Sequence, residues 1–431
     1  MLTNFSGRKA FHGAILTSAA QLSKIAAGFI LLKLIAIYLG SDGMGAIGNF
    51  MSLATLLSLI AGGGIVNGVI KYVAAFKGRN KYLLEFVSSA IIYSLGFSIC
   101  VLIIGITFSG IISSYIFGDA SKYYLIIILA FAQLGFAFTN LVTGVSNGLM
   151  DTKTYALIQI VGNLIAIPLS LIMISRFNFL GGILSVILFY FSYLLPAFFY
   201  YKKSSFYKRK LVFVRLSSHV KNLSVYTLMA CIGAISVPLV EIVVRAAIIS
   251  NIDYNAAGIW QASIKLSSAY MGFFTVFLAV YFMPLVVNIK NNSELAKIVF
   301  RFIFMVMIVF LIGGLGFYLL RQELIPILLS SQFSALESLI KYQLIGDFFR
   351  VSSYVIGFLI IAKSSLKIYL FSEIAQGIIF LLLSYSFLNQ GMGLKGVFLA
   401  NLIMNMTYFF TSILGLLGFL KISKGDKSAI S

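Results

Sequence analysis

The chain is short of charge: Asp, Glu, Lys and Arg make up only 10% of its 431 residues, against 60% hydrophobic. A water-soluble protein of this length needs far more charge to cover its surface, so a soluble domain is excluded. Its two cysteines, Cys100 and Cys231, sit inside apolar runs and supply neither a disulfide framework nor a metal set. The two histidines, His12 and His219, fall in basic segments, which argues against metal catalysis. No Walker A sequence occurs, so the chain carries no ATP site of its own. The first apolar run is too long for the core of a signal peptide and lacks a cleavage site after it, so it reads as a first membrane span.

Apolar runs of about twenty residues, each long enough to cross a bilayer as a helix, recur along the whole chain. The expected fold class is all-α, a polytopic membrane protein with twelve spans near 14–39, 49–76, 83–108, 123–144, 155–174, 181–201, 223–249, 257–287, 296–319, 336–362, 368–388 and 396–420. The Gly-rich stretch 40–48 reads as a turn between the first two spans. The longest polar interruption, 202–221, holds Lys202, Lys203, Lys208, Arg209, Lys210, Arg215 and Lys221 and no acid. It divides the chain into an N-terminal bundle (1–201), a linker (202–221), a C-terminal bundle (222–420) and a tail (421–431), with six spans in each bundle.

Lys and Arg outnumber Asp and Glu by 32 to 12. Most of the basic residues fall in alternate loops, and the intervening loops hold only Lys122, Arg176, Arg321 and Lys395. By the positive-inside rule both termini and the linker are cytoplasmic. Six spans per half bring both halves in from the same face, a parallel repeat with its axis along the membrane normal. The starts of the second and eighth spans, GAIGNFMSLATLL from Gly45 and GIWQASIKLSSAY from Gly258, align loosely in support.

Removing the loops leaves six cations within spans, Lys24, Lys33, Arg245, Lys265, Lys341 and Arg350, and three acids, Glu241, Asp347 and Glu373. A charge at mid-bilayer costs at least about 2.5–3.5 kcal/mol, so such residues face a wet cavity or each other. Glu241 and Arg245 share one helix face, as do Asp347 and Arg350. Two readings stay open for them: structural ion pairs, or a charged cavity wall with an acid that takes up a proton. Lys24 and Lys33 are half a turn out of phase and cannot both face one narrow cavity. Lys265 has no nearby acid on its span and is the leading candidate for a cation in the lumen. The surplus of cations points to an anionic substrate. Two apparent motifs mislead: GMGAIG (43–48) follows a membrane helix rather than a strand, and GVSNG (144–148) has no histidine to serve it. No catalytic residue, metal, cofactor or nucleic-acid partner is expected.

Four stretches carry a resemblance: KIAAGFILLKLIAIYLG from Lys24, AGGGIVNGVIKYVA from Ala61, GIWQ from Gly258, and QLIGDFFRVSSYVIGFLIIAKSSLKIYLFSEIAQ from Gln343. The chain resembles, over nearly its whole length, the Wzx-type flippases of bacterial surface-polysaccharide assembly within the multidrug/oligosaccharidyl-lipid/polysaccharide exporter (MATE-like) superfamily. The likeness is strongest to the branch carrying O-antigen units and the common-antigen lipid III. It implies a multi-pass protein of the bacterial inner membrane that moves an undecaprenyl diphosphate-linked oligosaccharide outward by alternating access, with the polymerase and chain-length regulator as partners. It places Lys24, Lys33, Asn67, Lys71, Arg245, Gln261 and Arg350 in a cationic cavity. Asp347 and Glu373 also fall on the family pattern, and with Glu241 they are the ion-coupling candidates. Lys265 departs from the common-antigen branch, which has a small polar residue there. The rival readings are a lipid III flippase, a multidrug or ion antiporter of the same superfamily, an O-antigen polymerase, whose sizeable periplasmic loops this chain lacks, and a non-transporting scaffold.

Overall fold

In lipid every backbone N–H and C=O must find its partner within the chain, so segments this apolar cross as helices or closed barrels. The computed structural model describes the backbone of residues 2–204, 217–287, 289, 291–362 and 366–428, and their side chains except 2–12, 14, 217–218, 233–236, 366–370, 419 and 421–428. Among the described residues there is no strand. The helices are α1 (Leu2–Tyr38), α2 (Gly40–Ile60), α3 (Val66–Ala75), α4 (Asn80–Thr107), α5 (Ser109–Phe117), α6 (Tyr123–Gly148), α7 (Thr152–Phe191) and α8 (Leu194–Lys203). They continue with α9 (Ser217–Asn251), α10 (Tyr254–Phe277), α11 (Met283–Val287), α12 (Asn292–Leu319), α13 (Arg321–Leu328), α14 (Leu336–Ala362), α15 (Leu366–Asn389) and α16 (Gly393–Ser428).

Eleven helical stretches are long and apolar enough to cross a membrane, and one of them, Thr152–Lys203, holds 52 residues. That is about twice what one crossing needs. Its backbone reverses at Asn178 (φ 46°, ψ −119°). Asn163 and Tyr193, equally far from Asn178 along the chain, meet through a 2.6 Å hydrogen bond from the Tyr193 hydroxyl to Asn163 Oδ1. The stretch is therefore a hairpin of the fifth and sixth spans, which brings the crossings among the described residues to twelve.

Two Gly-rich stretches act differently from a simple turn. The stretch 40–48 is helical, and only Leu39 separates α1 from α2. Its glycines serve a close helix crossing: a Cβ on Gly45 would sit 2.0 Å from the Tyr254 carbonyl oxygen, and one on Gly258 1.8 Å from that of Ser41. Small residues are how membrane helices approach, because lipid gives apolar side chains no reason to leave it. The second crossing is broken: α2 ends, residues 61–63 form a 3-10 turn, and Gly62, Gly63 and Gly64 lie at φ +70°, +85° and +61° before α3 resumes. Only glycine takes these left-handed conformations freely, and a Cβ on Gly62 would also strike Ser94 Oγ at 2.3 Å.

The backbone separates into two compact units, Met1–Leu39 with Ala46–Ile242, and Gly40–Gly45 with Val243–Ser431. Helices α2 and α9 each contribute to both, and α9 runs through Pro238 as one helix. The linker cations Lys208, Arg209, Lys210 and Arg215 lie outside the described residues. In the first unit Val69, Val73, Phe86 and Val87 pack with Leu223 into a core. In the second, Trp260, Phe282, Phe333 and Phe398 are fully buried. Large apolar side chains such as Ile103, Phe304, Ile312 and Leu414 are exposed, as expected of a surface solvated by lipid.

Candidate functional site

In the second unit the polar chemistry gathers around Asp347, fully buried on α14. Its carboxylate accepts hydrogen bonds from Ser267 Oγ at 2.6 Å and the Tyr270 hydroxyl, both on α10, and from Gln343 Nε2 at 3.0 Å. Arg350 Nη1 stands 3.9 Å from Asp347 Oδ1. Gln343 Oε1 in turn accepts from Asn401 Nδ2 at 3.3 Å, and Asn401 accepts from Asn405, both on α16. One carboxylate thus ties α10 and α14 together directly and α16 through an amide relay. At this level α14 and α16 approach closely, since a Cβ on Gly346 would meet Leu402 Cα at 3.2 Å. A buried carboxylate without such partners would cost several kcal/mol, and these donors and the guanidinium offset it.

The Asp347–Arg350 pair is unequal. The carboxylate is sealed, whereas the Arg350 side chain remains 35% exposed. Its guanidinium lies 5.6 Å from the Tyr354 ring and within Coulombic range of half-buried Glu373 on α15. Such a planar fork can hold a phosphate through two parallel hydrogen bonds while Asp347 fixes its position. Arg245 is buried, donates to Gln261 Oε1 and lies 5.4 Å from the Trp260 ring. Gln261 and Trp260 of α10 therefore clamp the guanidinium. Lys265, one turn beyond Gln261, is half-buried and makes no hydrogen bond or ion pair among the described residues.

In the first unit Glu241 is half-buried on α9 and accepts from Ser52 Oγ at 2.8 Å. Ser52, Thr55 and Ser58 recur every three residues along one face of α2. Thr55 Oγ1 lies 3.0 Å from the Tyr190 hydroxyl, and Asn140 Nδ2 donates to the Ser58 carbonyl at 2.9 Å. Lys24 is exposed and Lys33 half-buried on α1, and neither makes a hydrogen bond or ion pair among the described residues. Asn67 and Lys71 are exposed one turn apart on α3, with the Lys71 ammonium 5.8 Å from the Tyr72 ring and 5.9 Å from that of Tyr226.

The structure thus joins Asp347 to Arg350 and Arg245 to Gln261, and sets Glu373 near Arg350. The hydrogen-bond donors around Asp347 were not anticipated from the sequence. Their signal is a helical spacing, Ser267 with Tyr270 and Gln343 with Asp347, which only a known partner helix makes meaningful.

No profile of a known protein family matches the chain. Two curated proteins, each named Lipid III flippase, from Escherichia coli (strain K12) and Shigella flexneri, are 31% identical to it over 361 residues, which is 84% of this chain and 87% of theirs. Among solved structures, an inward-facing multidrug resistance MATE family transporter of the MOP superfamily matches 96% of this chain and 99% of its own, with a TM-score of 0.77 and 16% identity. A MOP superfamily transporter from Pyrococcus furiosus matches 94% and 96%, with a TM-score of 0.59 and 15% identity. These structures share the fold, and the curated relatives extend the likeness to sequence: the chain is a multi-pass membrane protein of MATE-type fold that belongs to the family of lipid-linked oligosaccharide flippases containing the Lipid III flippases.

Proposed function

We propose that the protein moves undecaprenyl diphosphate-linked O-antigen units from the cytoplasmic to the periplasmic leaflet of the bacterial inner membrane by alternating access. One observation carries the choice of an anionic lipid-linked cargo. Lys24, Lys33 and Lys265 stand on membrane-crossing helices with no hydrogen bond or ion pair among the described residues. Cations at that depth call for a counter-charge, and a diphosphate passing through supplies it transiently. Arg350, held by Asp347, is the group best formed to grip it. Asn67, Lys71, Arg245 and Gln261 complete the proposed set of polar groups that meet the substrate.

Glu241, Asp347 and Glu373 are the proposed acids for coupling to a proton or sodium gradient, since the sequence holds no ATP site. The polymerase and chain-length regulator of the same assembly system are the proposed partners downstream. A second reading, translocation of lipid III itself, is favoured by the names of the two curated relatives. Lys265 speaks for a different, acidic sugar.

Deletion in the native host tests both readings. Loss of every O-antigen band from lipopolysaccharide, with undecaprenyl diphosphate-linked single units trapped inside, is the expected result. Loss of common antigen with an intact O-antigen ladder would select the lipid III reading. Core lipid bearing one unit without a ladder would point to a polymerase, and an unchanged ladder with new drug sensitivity to an exporter.

A further inference from the structure

Between α14, α15 and α16, wholly within the second unit, lies a half-open cavity of about 410 Å³. That volume falls in the range of ligand sites, roughly 300–1,000 Å³. Its walls are apolar, with Leu359, Phe371, Ile379, Met404 and Leu416 among them, and Phe371 is 75% exposed at its edge. Polar groups line one side, among them Ser372, Tyr408 and Ser412. Tyr408 lies within Coulombic range of Tyr354 and Glu373, the neighbours of Arg350. On α14 the anchored Arg350 stands six residues, about 9 Å along the axis, before Ile356, which lines the cavity; an apolar cavity and a guanidinium on one helix suit an amphiphile with an anionic head.

Depth identifies the amphiphile. The cavity residues of α14 lie in its last two turns, close in sequence to Lys363 and Lys367, which the charge pattern assigns to the cytoplasm. Arg350 lies twelve residues before the end of this helix, about 18 Å along the axis and so near mid-bilayer. A resident phospholipid keeps its phosphate at the membrane surface. A lipid-linked oligosaccharide in transit must bring its diphosphate to mid-depth while its chain stays in an apolar medium. We infer that this cavity receives the isoprenoid segment next to the diphosphate of the substrate, with Arg350 at the anionic end, so that the chain is gripped within one unit. The inference rests on the flippase reading.

The test uses the full chain in nanodiscs of phosphatidylethanolamine and phosphatidylglycerol, with a polyprenyl diphosphate carrying a diazirine in the isoprenes nearest the diphosphate. Irradiation and peptide mapping should place the label on residues 371–379 and 404–416. Gly415 lines the cavity and a Cβ there meets nothing within 4 Å, so in Gly415→Leu the new side chain can start unhindered and take up cavity space. It should lower labelling by about tenfold, the equivalent of about 1.4 kcal/mol. Gly313→Leu, equally open but on α12, should leave labelling unchanged. If Gly415→Leu is not recovered as a monodisperse protein, displacement of the label by unlabelled polyprenyl diphosphate on the unmodified chain decides the matter. Equal labelling by a diazirine on the acyl chain of phosphatidylglycerol, undisplaced by polyprenyl diphosphate, would overturn the inference and make the cavity a phospholipid site. Label confined to other helices, with O-antigen assembly intact, would overturn it too and leave the flippase reading standing. That reading is removed instead by the deletion strain, through core lipid bearing one unit without a ladder, or through an unchanged ladder with common antigen intact.

Discussion

The two units bury different kinds of polar chemistry. In the first, the fully buried polar side chains are neutral, among them Asn49, Ser52, Gln133, Asn163 and Ser170. In the second, Arg245 and Asp347 are buried to the same degree, the only charged side chains so deeply placed among the described residues. A neutral hydrogen bond in a membrane core is worth on average only about 0.6 kcal/mol, because the unfolded helices also find partners in lipid. A buried charge commits several kcal/mol to one arrangement of its neighbours. The first unit therefore reads as a scaffold with its cations placed on it, and the second as the unit in which helix packing and charge are coupled.

The strongest test of that contrast is Asp347→Leu. It strands the Tyr270 and Ser267 hydroxyls, the Gln343 amide and the Arg350 guanidinium together. The expected destabilisation lies at the lower end of about 3–5 kcal/mol, since Arg350 keeps access to water. It is to be read from thermal unfolding in detergent beside complementation of the deletion strain. Asp347→Asn should keep most of the stability and still lose transport. If both variants transport normally, the second unit is no more coupled than the first.

A smaller effect sharpens the other side. Tyr193→Phe removes the bond to Asn163, whose amide also donates to Ser23 Oγ at 2.8 Å. It should cost roughly 0.6–1.7 kcal/mol and leave the O-antigen ladder intact. A lost ladder at full stability would place the first unit's neutral network in the transport path.

The smallest effect lies outside the spans, in the turn before α6. Hydrogen bonds from Ser121, and after them the Lys122 charge, hold the Asp119 carboxyl below its ordinary value of 3.8. A depressed carboxylate contributes stability above that value and loses it as pH falls through the lower folded one. Asp119→Ala should remove this acid limb of the stability profile, so that the variant is slightly less stable than the parent at neutral pH and converges with it as pH falls below the folded value. A loss that persists at acid pH, where the carboxyl is protonated in both states, would mean that the turn is tied to the bundles by more than this charge.

Most of the fold was legible because lipid imposes a simple rule: a long apolar run must become a helix. The twelve crossings, the Asp347–Arg350 pair and the presence of span cations all follow from that rule and from helical spacing. Three features did not. The stretch 40–48 looks like a turn by composition, yet Gly45 and Gly258 are there for a helix crossing that no local pattern reveals. The donors around Asp347 come from two helices far apart in the chain, α10 and α14, so their convergence is a tertiary fact. The cavity at Gly415 is lined by ordinary membrane residues, and only packing distinguishes them from their lipid-facing neighbours.

The broken second crossing has a consequence for how this sequence can vary. Gly62, Gly63 and Gly64 are each left-handed, and the space beside each is already filled, by Ser94, Tyr93 and Ala230 in turn. Backbone geometry and neighbouring atoms thus forbid the same thing twice over, so relaxing one constraint would not admit another residue. A saturation library of this gene would show three adjacent codons that tolerate only synonymous change. They would sit inside a hydrophobic segment whose other positions exchange freely among apolar residues, a signature of inheritance readable without any structure.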